Sequence, residues 1–430
     1  MAGEAPTYLD HAEVAPMPPP VLQELLAWTN RGSLTGERAA AREGRRLLEA
    51  YRDAVAAEGG FGRAGPGSYQ VLVTSGGAEA NAHILTAAAR AYARQTGQMP
   101  HLVTCAAEDP SALECCRALE GDRLARVTVL PVADGGEGVG AVTPAALRAA
   151  LRPNTCLVSL CAVSAAVGTL QPLSALAAVA HSQRVPFHTD ARLLYGRSAF
   201  RPQDLGVDAF SASARLFGGP LGSGLLAMRR DFVDGYGLGS GPLGPRGGEP
   251  NLPAAAAAFA ALRLAVADRG AKNLRLRELR RGLCSGLGRA FLCLGLEEYR
   301  AARPRASGGA PVSPRSPRAR ANARALDAAA EAGEAAVVFV SPPEGRRALP
   351  GLLLFAPLTE PPLAAAQLAR RLESRGLLIG IAEEAGLAAL RLPPEVEAAA
   401  LRLGFGDASS AEDLRRFLEG TRAAFSPAAG

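Results

Sequence analysis

The sequence predicts an α/β protein with a large, mostly parallel sheet and a smaller α+β domain towards the C-terminal end. Three observations carry the prediction. Short apolar runs alternate with helical patterns from about residue 70 to residue 230. The runs are apolar throughout, as strands are when helices cover both faces of a parallel sheet. After a long helical stretch and a Pro/Arg-rich segment, apolar runs resume over the last hundred residues with two helical patterns among them. The expected boundaries are 1–252 for an N-terminal arm and large domain, 253–290 for a connecting helix, 300–325 for a flexible Arg/Pro-rich insertion and 326–430 for the small domain.

The elements follow in order. YQVLVT (69–74) is a strand ended by SGG, and AEANAHILTAAARAYARQ (78–95) is a helix. HLVTCA (101–106) is a strand. DPSALECCRALE (109–120) is a helix opened by Asp109 as cap and Pro110 in the first turn. RVTVLPV (126–132) and TCLVSLCAV (155–163) are strands, separated by the helix TPAALRAALR (143–152) and followed by the helix PLSALAAVAHSQR (172–184). VPFHTDA (185–191), VDAFSAS (207–213) and GSGLLAMRR (222–230) complete the strands of the large domain. A long helix from Pro253 to Leu287, broken at Gly270, leads out of it. Residues 300–324 are rich in Pro, Ser, Gly and Arg and show no apolar period, so they predict a surface loop. In the small domain AAVVFVS (335–341), GLLLFAP (351–357) and GLLIGIA (376–382) are strands. PLAAAQLARRLESR (362–375) and SAEDLRRFLEGTRAAF (410–425) are helices, the second opened by a Ser-x-x-Asp cap pattern.

Composition narrows the class. The chain has 430 residues, 48% of them hydrophobic, and a formal charge of +6. Lys272 is the only lysine, so 46 of the 47 basic residues are arginine. That bias reads as GC-rich codon usage, or as selection for forked donors at phosphates. No basic segment followed by an apolar core opens the chain, and no apolar run reaches 18 residues, so neither a secretory leader nor a membrane span is expected. Seven cysteines is an odd count without zinc-type spacing, which suits a reducing, cytoplasmic setting. His11, His83, His101, His181 and His188 have no metal-ligand spacing, and no Gly-x-Ser-x-Gly elbow occurs.

Five stretches, in order and correctly spaced, resemble the class V aminotransferase-like enzymes that use pyridoxal phosphate, and among them the cysteine desulfurases and selenocysteine lyases. They are YLDHAEVAP (8–16), TSGGAEAN (74–81), VPFHTDARLLYGR (185–197), DLGVDAFSASARLFGGPLGSGLLAMRR (204–230) and ALRLGFGDASSAEDLRRFLEG (400–420). The resemblance implies the pyridoxal phosphate-dependent transferase fold type I: a seven-stranded mixed sheet, a small C-terminal domain and a homodimer.

The chemical positions depart from the family's pattern. An internal aldimine needs a lysine amine. The resemblance places that lysine at Leu216, in SASARLFGGP (211–220). Lys272 lies 56 positions further on and is expected to be a solvated surface residue. The loop cysteine that would accept sulfur is missing, because no cysteine follows Cys293; Glu383 and Glu384 stand near its expected place. The ring-stacking histidine falls at Asp109, the asparagine for the ring oxygen near Ala165, the glutamine near Leu193 and the phosphate threonine at Ala78. Arg246 and Gly248 match a Gly-rich segment in 235–251, but Glu249 replaces its threonine.

Some features remain. Asp190, which in the family faces the pyridine nitrogen, is present, and Gly76 and Gly77 open a helix where backbone N–H groups can hold an anion. Ser213 and Arg215 are further donors for such a remnant, and Arg402 matches the family's substrate-carboxylate arginine. Each has a plain structural reading beside the vestigial one: a carboxylate held by N–H groups or Arg192, a tight turn, an ion pair with a nearby acid.

Three functions are compatible with these residues. One is a cysteine desulfurase/selenocysteine lyase-like pseudoenzyme without cofactor, serving as a scaffold or regulator with a protein partner. The second is a lyase of the family's type, or a noncovalent binder of a phosphorylated ligand at Gly76, Gly77, Ser213 and Arg215. The third is a binder of nucleic acid or an acidic partner through the arginines of 300–324. The absence of interleaved aromatics there argues against nucleic acid.

Overall fold

The structure is a computed structural model that describes residues 6–31, 34, 38–65, 67–230, 246–305, 311–343, 345, 347–382 and 384–425. The chain opens with β1 (Thr7–Leu9), α1 (Pro19–Thr29) and α2 (Ala39–Gly59). The large domain continues with β2 (Tyr69–Thr74), α3 (Gly77–Thr96), β3 (His101–Cys105), α4 (Pro110–Gly121) and β4 (Arg126–Leu130). Then come α5 (Pro144–Ala150), β5 (Thr155–Cys161), α6 (Leu173–Ser182), β6 (Phe187–Asp190), β7 (Ala209–Ser213) and β8 (Gly224–Arg229).

Among the described residues these strands form a seven-stranded sheet in the order β2-β8-β7-β6-β5-β3-β4. Every pairing is parallel except those of β8, which runs antiparallel to both neighbours. The all-apolar runs explain the parallel core, since every residue of β3, β5, β6 and β7 is buried.

Two helices link the domains, α7 (Leu252–Val266) and α8 (Arg269–Ala290). The break falls at Ala267 and Asp268, before the predicted Gly270. Asp268 takes up a left-handed φ of 51° that a helix cannot continue through. The small domain holds β9 (Leu292–Gly295), α9 (Leu296–Ala302), α10 (Pro317–Glu331), β10 (Ala336–Phe339), β11 (Leu352–Leu358) and α11 (Ala365–Glu373). It ends with β12 (Leu377–Ile381), α12 (Glu384–Ala388), α13 (Pro394–Ala398), β13 (Leu401–Gly404) and α14 (Ala411–Phe425). Among the described residues its six strands are ordered β1-β12-β13-β11-β10-β9, so β1 is one edge of the small sheet.

The predicted loop over 300–325 needs correction. From Pro317 it is helix α10, capped by the Ser316 side chain, which accepts from Ala319 N at 3.1 Å. Ala319, Ala323 and Leu326 bury one face. Alanines at that spacing are small, and the arginines between them hide the period.

Candidate active-site crevice

The residues singled out in the large domain gather at the carboxyl ends of the parallel strands, where open α/β sheets place their ligand sites. Asp190 ends β6, Ser213 ends β7, and Gly76 and Gly77 form the turn from β2 into α3. An added Cβ on Gly77 would lie 3.6 Å from the Ser213 Cβ, so these two are neighbours. An added Cβ on Gly76 meets nothing within 4 Å, whereas one on Gly224 would sit 2.6 Å from Gly76 backbone atoms and 2.7 Å from the Ala212 carbonyl oxygen. The glycine at 224 is what lets β8 and the turn approach each other.

Asp190 is buried and fully engaged. Its Oδ2 accepts from Asn81 Nδ2 at 2.8 Å, and its Oδ1 accepts from the Arg192 backbone N–H at 2.9 Å. The Arg192 guanidinium lies 3.8 Å away. Burial outweighs these partners and pushes the carboxyl up to about 6. Arg192 is also ion-paired with Asp109. Asp109 caps α4 as predicted, accepting from Ser111 N at 2.9 Å. A charged pair, Asp109 with Arg192, thus stands where the resemblance expects a stacking ring.

Arg215 does not point to the Gly76–Gly77 turn. Its Nη1 donates to the Glu13 carbonyl oxygen at 2.6 Å and to the Glu13 carboxylate at 2.5 Å. The anion beside the turn is Glu79. Burial would raise its carboxyl, but hydrogen bonds from Arg246 at 2.5 and 3.0 Å and from Ser75 N at 2.7 Å hold it down to about 2. Arg402 is buried. Its Nη2 reaches Asp10 at 3.3 Å and Glu13 at 3.8 Å, and its Nε has no partner. The arginine matched to a substrate-carboxylate role thus faces two carboxylates of the chain's own N-terminal arm.

Leu216 lies in a short 3-10 turn, Ala214–Phe217, and is 1% exposed. It belongs to the same buried cluster as Tyr195, Phe210 and Phe217. It also forms part of the wall of a cavity of about 510 Å³ shared with Pro16, Leu264, Lys272 and Asp407. Lys272 is half-buried, with its ammonium engaged, where the sequence predicts a fully solvated side chain. Its ammonium donates to the Leu264 carbonyl at 2.6 Å and pairs with Asp407 at 3.0 Å. None of Asp190, Gly76, Gly77 or Ser213 lines that cavity. Glu384 opens α12 and is exposed, while Glu383 and residues 235–245 lie outside the described residues. Glu249 is exposed.

Asn81, Glu79 and Glu13 were not singled out as partners. Asn81 and Glu79 lie inside the TSGGAEAN stretch, and Glu13 inside YLDHAEVAP, so the signal available was the stretches themselves rather than any pairing.

Residues 7–239 match the family model for aminotransferase class-V. The chain belongs to that family. It is 30% identical over 289 residues to a cysteine desulfurase IscS of Anaeromyxobacter sp. (strain K), a match covering 66% of this chain and 68% of that one. It is 32% identical over 230 residues to the cysteine desulfurase of Mus musculus, covering 52% of this chain and 47% of that one. Among solved structures, a NifS-like protein superposes with a TM-score of 0.76 at 21% identity, covering 97% of this chain and 98% of that one. The NifS-like protein from Rickettsia africae ESF-5 superposes with a TM-score of 0.74 at 17% identity, covering 98% and 99%. The fold is the type I fold of pyridoxal phosphate-dependent transferases, as the sequence predicts.

The desulfurases of this class V family depend on pyridoxal phosphate. The residues of this crevice do not fit that group as a covalently held cofactor. Residue 216 carries no amine and is packed in the core, and the sole lysine pairs with Asp407 at a cavity that none of Asp190, Gly76, Gly77 or Ser213 lines. No reaction step is derived through it.

Proposed function

We propose that this chain is a cysteine desulfurase-like pseudoenzyme: it keeps the family's fold, lacks its Schiff-base chemistry and serves in the cytoplasm as a homodimeric scaffold or regulatory partner. The observation that carries this reading is Leu216, an apolar side chain 1% exposed at the position the resemblance assigns to the lysine. The ion-paired crevice supports it, since Arg192, Arg215 and Arg402 are each engaged by carboxylates of the chain itself. A surface for a partner is supported by α1, where Leu22 and Leu26, one turn apart, are 47% and 63% exposed.

The test is the visible spectrum of the purified chain after incubation with pyridoxal phosphate, followed by borohydride reduction and peptide mass analysis. The expected result is no aldimine band, no trapped adduct and no release of sulfide or selenide from the amino acids. An adduct on Lys272 together with lyase activity overturns the reading.

A noncovalent phosphate binder is the second reading, favoured by the open space beside Gly76. Calorimetry with inorganic phosphate and pyridoxal phosphate tests it. Binding that weakens in Ser213→Ala, the neighbour of Gly77, would support it, and no heat with either ligand would end it. The arginine-rich segment gains little support as a polyanion site. Arg303, Arg305 and Arg318 pair with Asp327, Glu395 and Glu298, which uses part of the charge internally.

A further inference from the structure

Two thiols and a carboxyl converge behind the crevice. Cys105 ends β3, Glu108 lies three residues on in the turn into α4, and Cys161 ends β5, the strand next to β3. One ligand atom from each lies within 4.8 Å of the other two, and all three residues are buried. Cys105 Sγ stands 3.8 Å from Glu108 Oε1. Glu108 Oε2 has no hydrogen-bond partner, although the residue is only 5% exposed. A buried carboxyl oxygen left in that state is costly, and native interiors rarely keep one. Something of opposite character would satisfy it.

Asp190 lies in register with Cys161 on the adjacent strand and adds negative charge beside the cluster. The nearby Arg192 guanidinium is paired with Asp109. A divalent ion would displace three protons, two from thiols and one from the carboxyl, and its two positive charges would offset all but one of the three ligand charges.

The geometry points to a metal site: Cys105, Glu108 and Cys161 hold one thiophilic divalent cation of the zinc class. Two thiolates select a soft or borderline ion over calcium or magnesium. Metal–sulfur bonds of about 2.3 Å and metal–oxygen bonds of about 2.0 Å put tetrahedral ligand atoms roughly 3.5–3.8 Å apart. The present spacing is within a small side-chain adjustment of that. The fourth position is left to water. Sequence spacing could not reveal the set, because 56 residues separate the two cysteines and only strand pairing joins them.

The test uses the full chain, purified without chelator and kept reduced, titrated with Co²⁺. The expected result is thiolate-to-cobalt charge-transfer absorption that saturates at one ion per chain and is removed by one equivalent of Zn²⁺. Loss of an outer-shell partner costs 10–100-fold in metal affinity. Loss of a ligand in Cys161→Ser or Glu108→Gln should therefore weaken zinc binding by about 100-fold or more, read by competition with a chromophoric chelator. Cys284→Ser should leave it unchanged. If Cys161→Ser fails to fold, the near-isosteric Glu108→Gln decides. No charge-transfer band at one equivalent, unchanged affinity in the foldable ligand variants, or a Cys105–Cys161 disulfide in the protein as purified would each overturn the site.

Discussion

Replacing Asp190 by asparagine should make the protein more stable at neutral pH. The carboxyl is buried, accepts two hydrogen bonds and titrates near 6 instead of 3.8. The folded state therefore holds this proton more tightly than the unfolded chain between those values. Folding stability from this group is fully present below about 3.8 and falls as pH rises through about 6. At 1.36 kcal/mol per tenfold change in proton affinity, the gap amounts to about 3 kcal/mol lost by pH 7. Asparagine has the same shape and no charge to desolvate. It can keep both contacts, because Asn81 Oδ1 is now without a partner and can accept after a flip of the Asn81 amide. The gain should approach 3 kcal/mol at pH 7 and vanish near pH 4. For a chain of this length that corresponds to roughly 3 °C in Tm. Other groups act in the opposite sense. Burial holds His188 neutral down to about 3, and burial first also holds His11 and His101 down to about 4, so each withdraws stability as pH falls below 6.5. The assay is therefore the difference in urea midpoint between Asp190→Asn and the parent at a series of pH values, in which those shared terms cancel. A variant less stable than the parent at pH 7, or a difference that does not change between pH 4 and 7, refutes the reasoning.

Two further outcomes follow from the crevice. Leu216→Lys restores an amine but buries it among apolar side chains, with Arg215 turned to Glu13 and Asp109 paired to Arg192. It should cost roughly 3–5 kcal/mol, the penalty of an uncompensated buried charge, and still give no aldimine band with pyridoxal phosphate; a stable variant that acquires the band would show that the pocket survived. Gly224→Ala puts a Cβ against the backbone of Gly76 and Ala212, where no side chain can yield. It should cost about 1–3 kcal/mol by overpacking, read as a lowered urea midpoint, and an unchanged midpoint would mean that β2 and β8 are less tightly fixed than described.

How much was legible depended on the range of the interaction. The strands of the large sheet could be read because burial on both faces leaves a continuous apolar run, and β2, β3, β5 and β8 fall within two residues of expectation at each end. The Asp109 cap was local and legible. Helix α10 was missed because its buried face is alanine and leucine set among arginines. The break between α7 and α8 was misplaced because the sequence offers a glycine at 270, whereas the chain turns at Asp268. At the crevice, residue types and their places along the chain were readable, so Asp190, Ser213 and the two glycines were found together. The partners were not. Arg215 to Glu13 spans 202 positions and Arg402 to Asp10 spans 392, and only the packed fold decides such pairings. Lys272 is expected in solvent because its helix leads out of the large domain, yet it lines a cavity and pairs with Asp407.

Strand β1 has a consequence for how the molecule assembles. Thr7 pairs with Leu377 and Leu9 with Ile379, while a few residues later Ala15 N donates to the Arg215 carbonyl at 2.8 Å. Strand β1 leaves the ribosome some 370 residues before its neighbour. Contacts of such long separation form late, after their loop-closure entropy has been met by other structure. The small sheet therefore cannot be completed by its own segment of chain. The N-terminal arm acts as a latch made well before its partner strand, and the same nine residues join the small sheet to the Arg215 turn of the large domain.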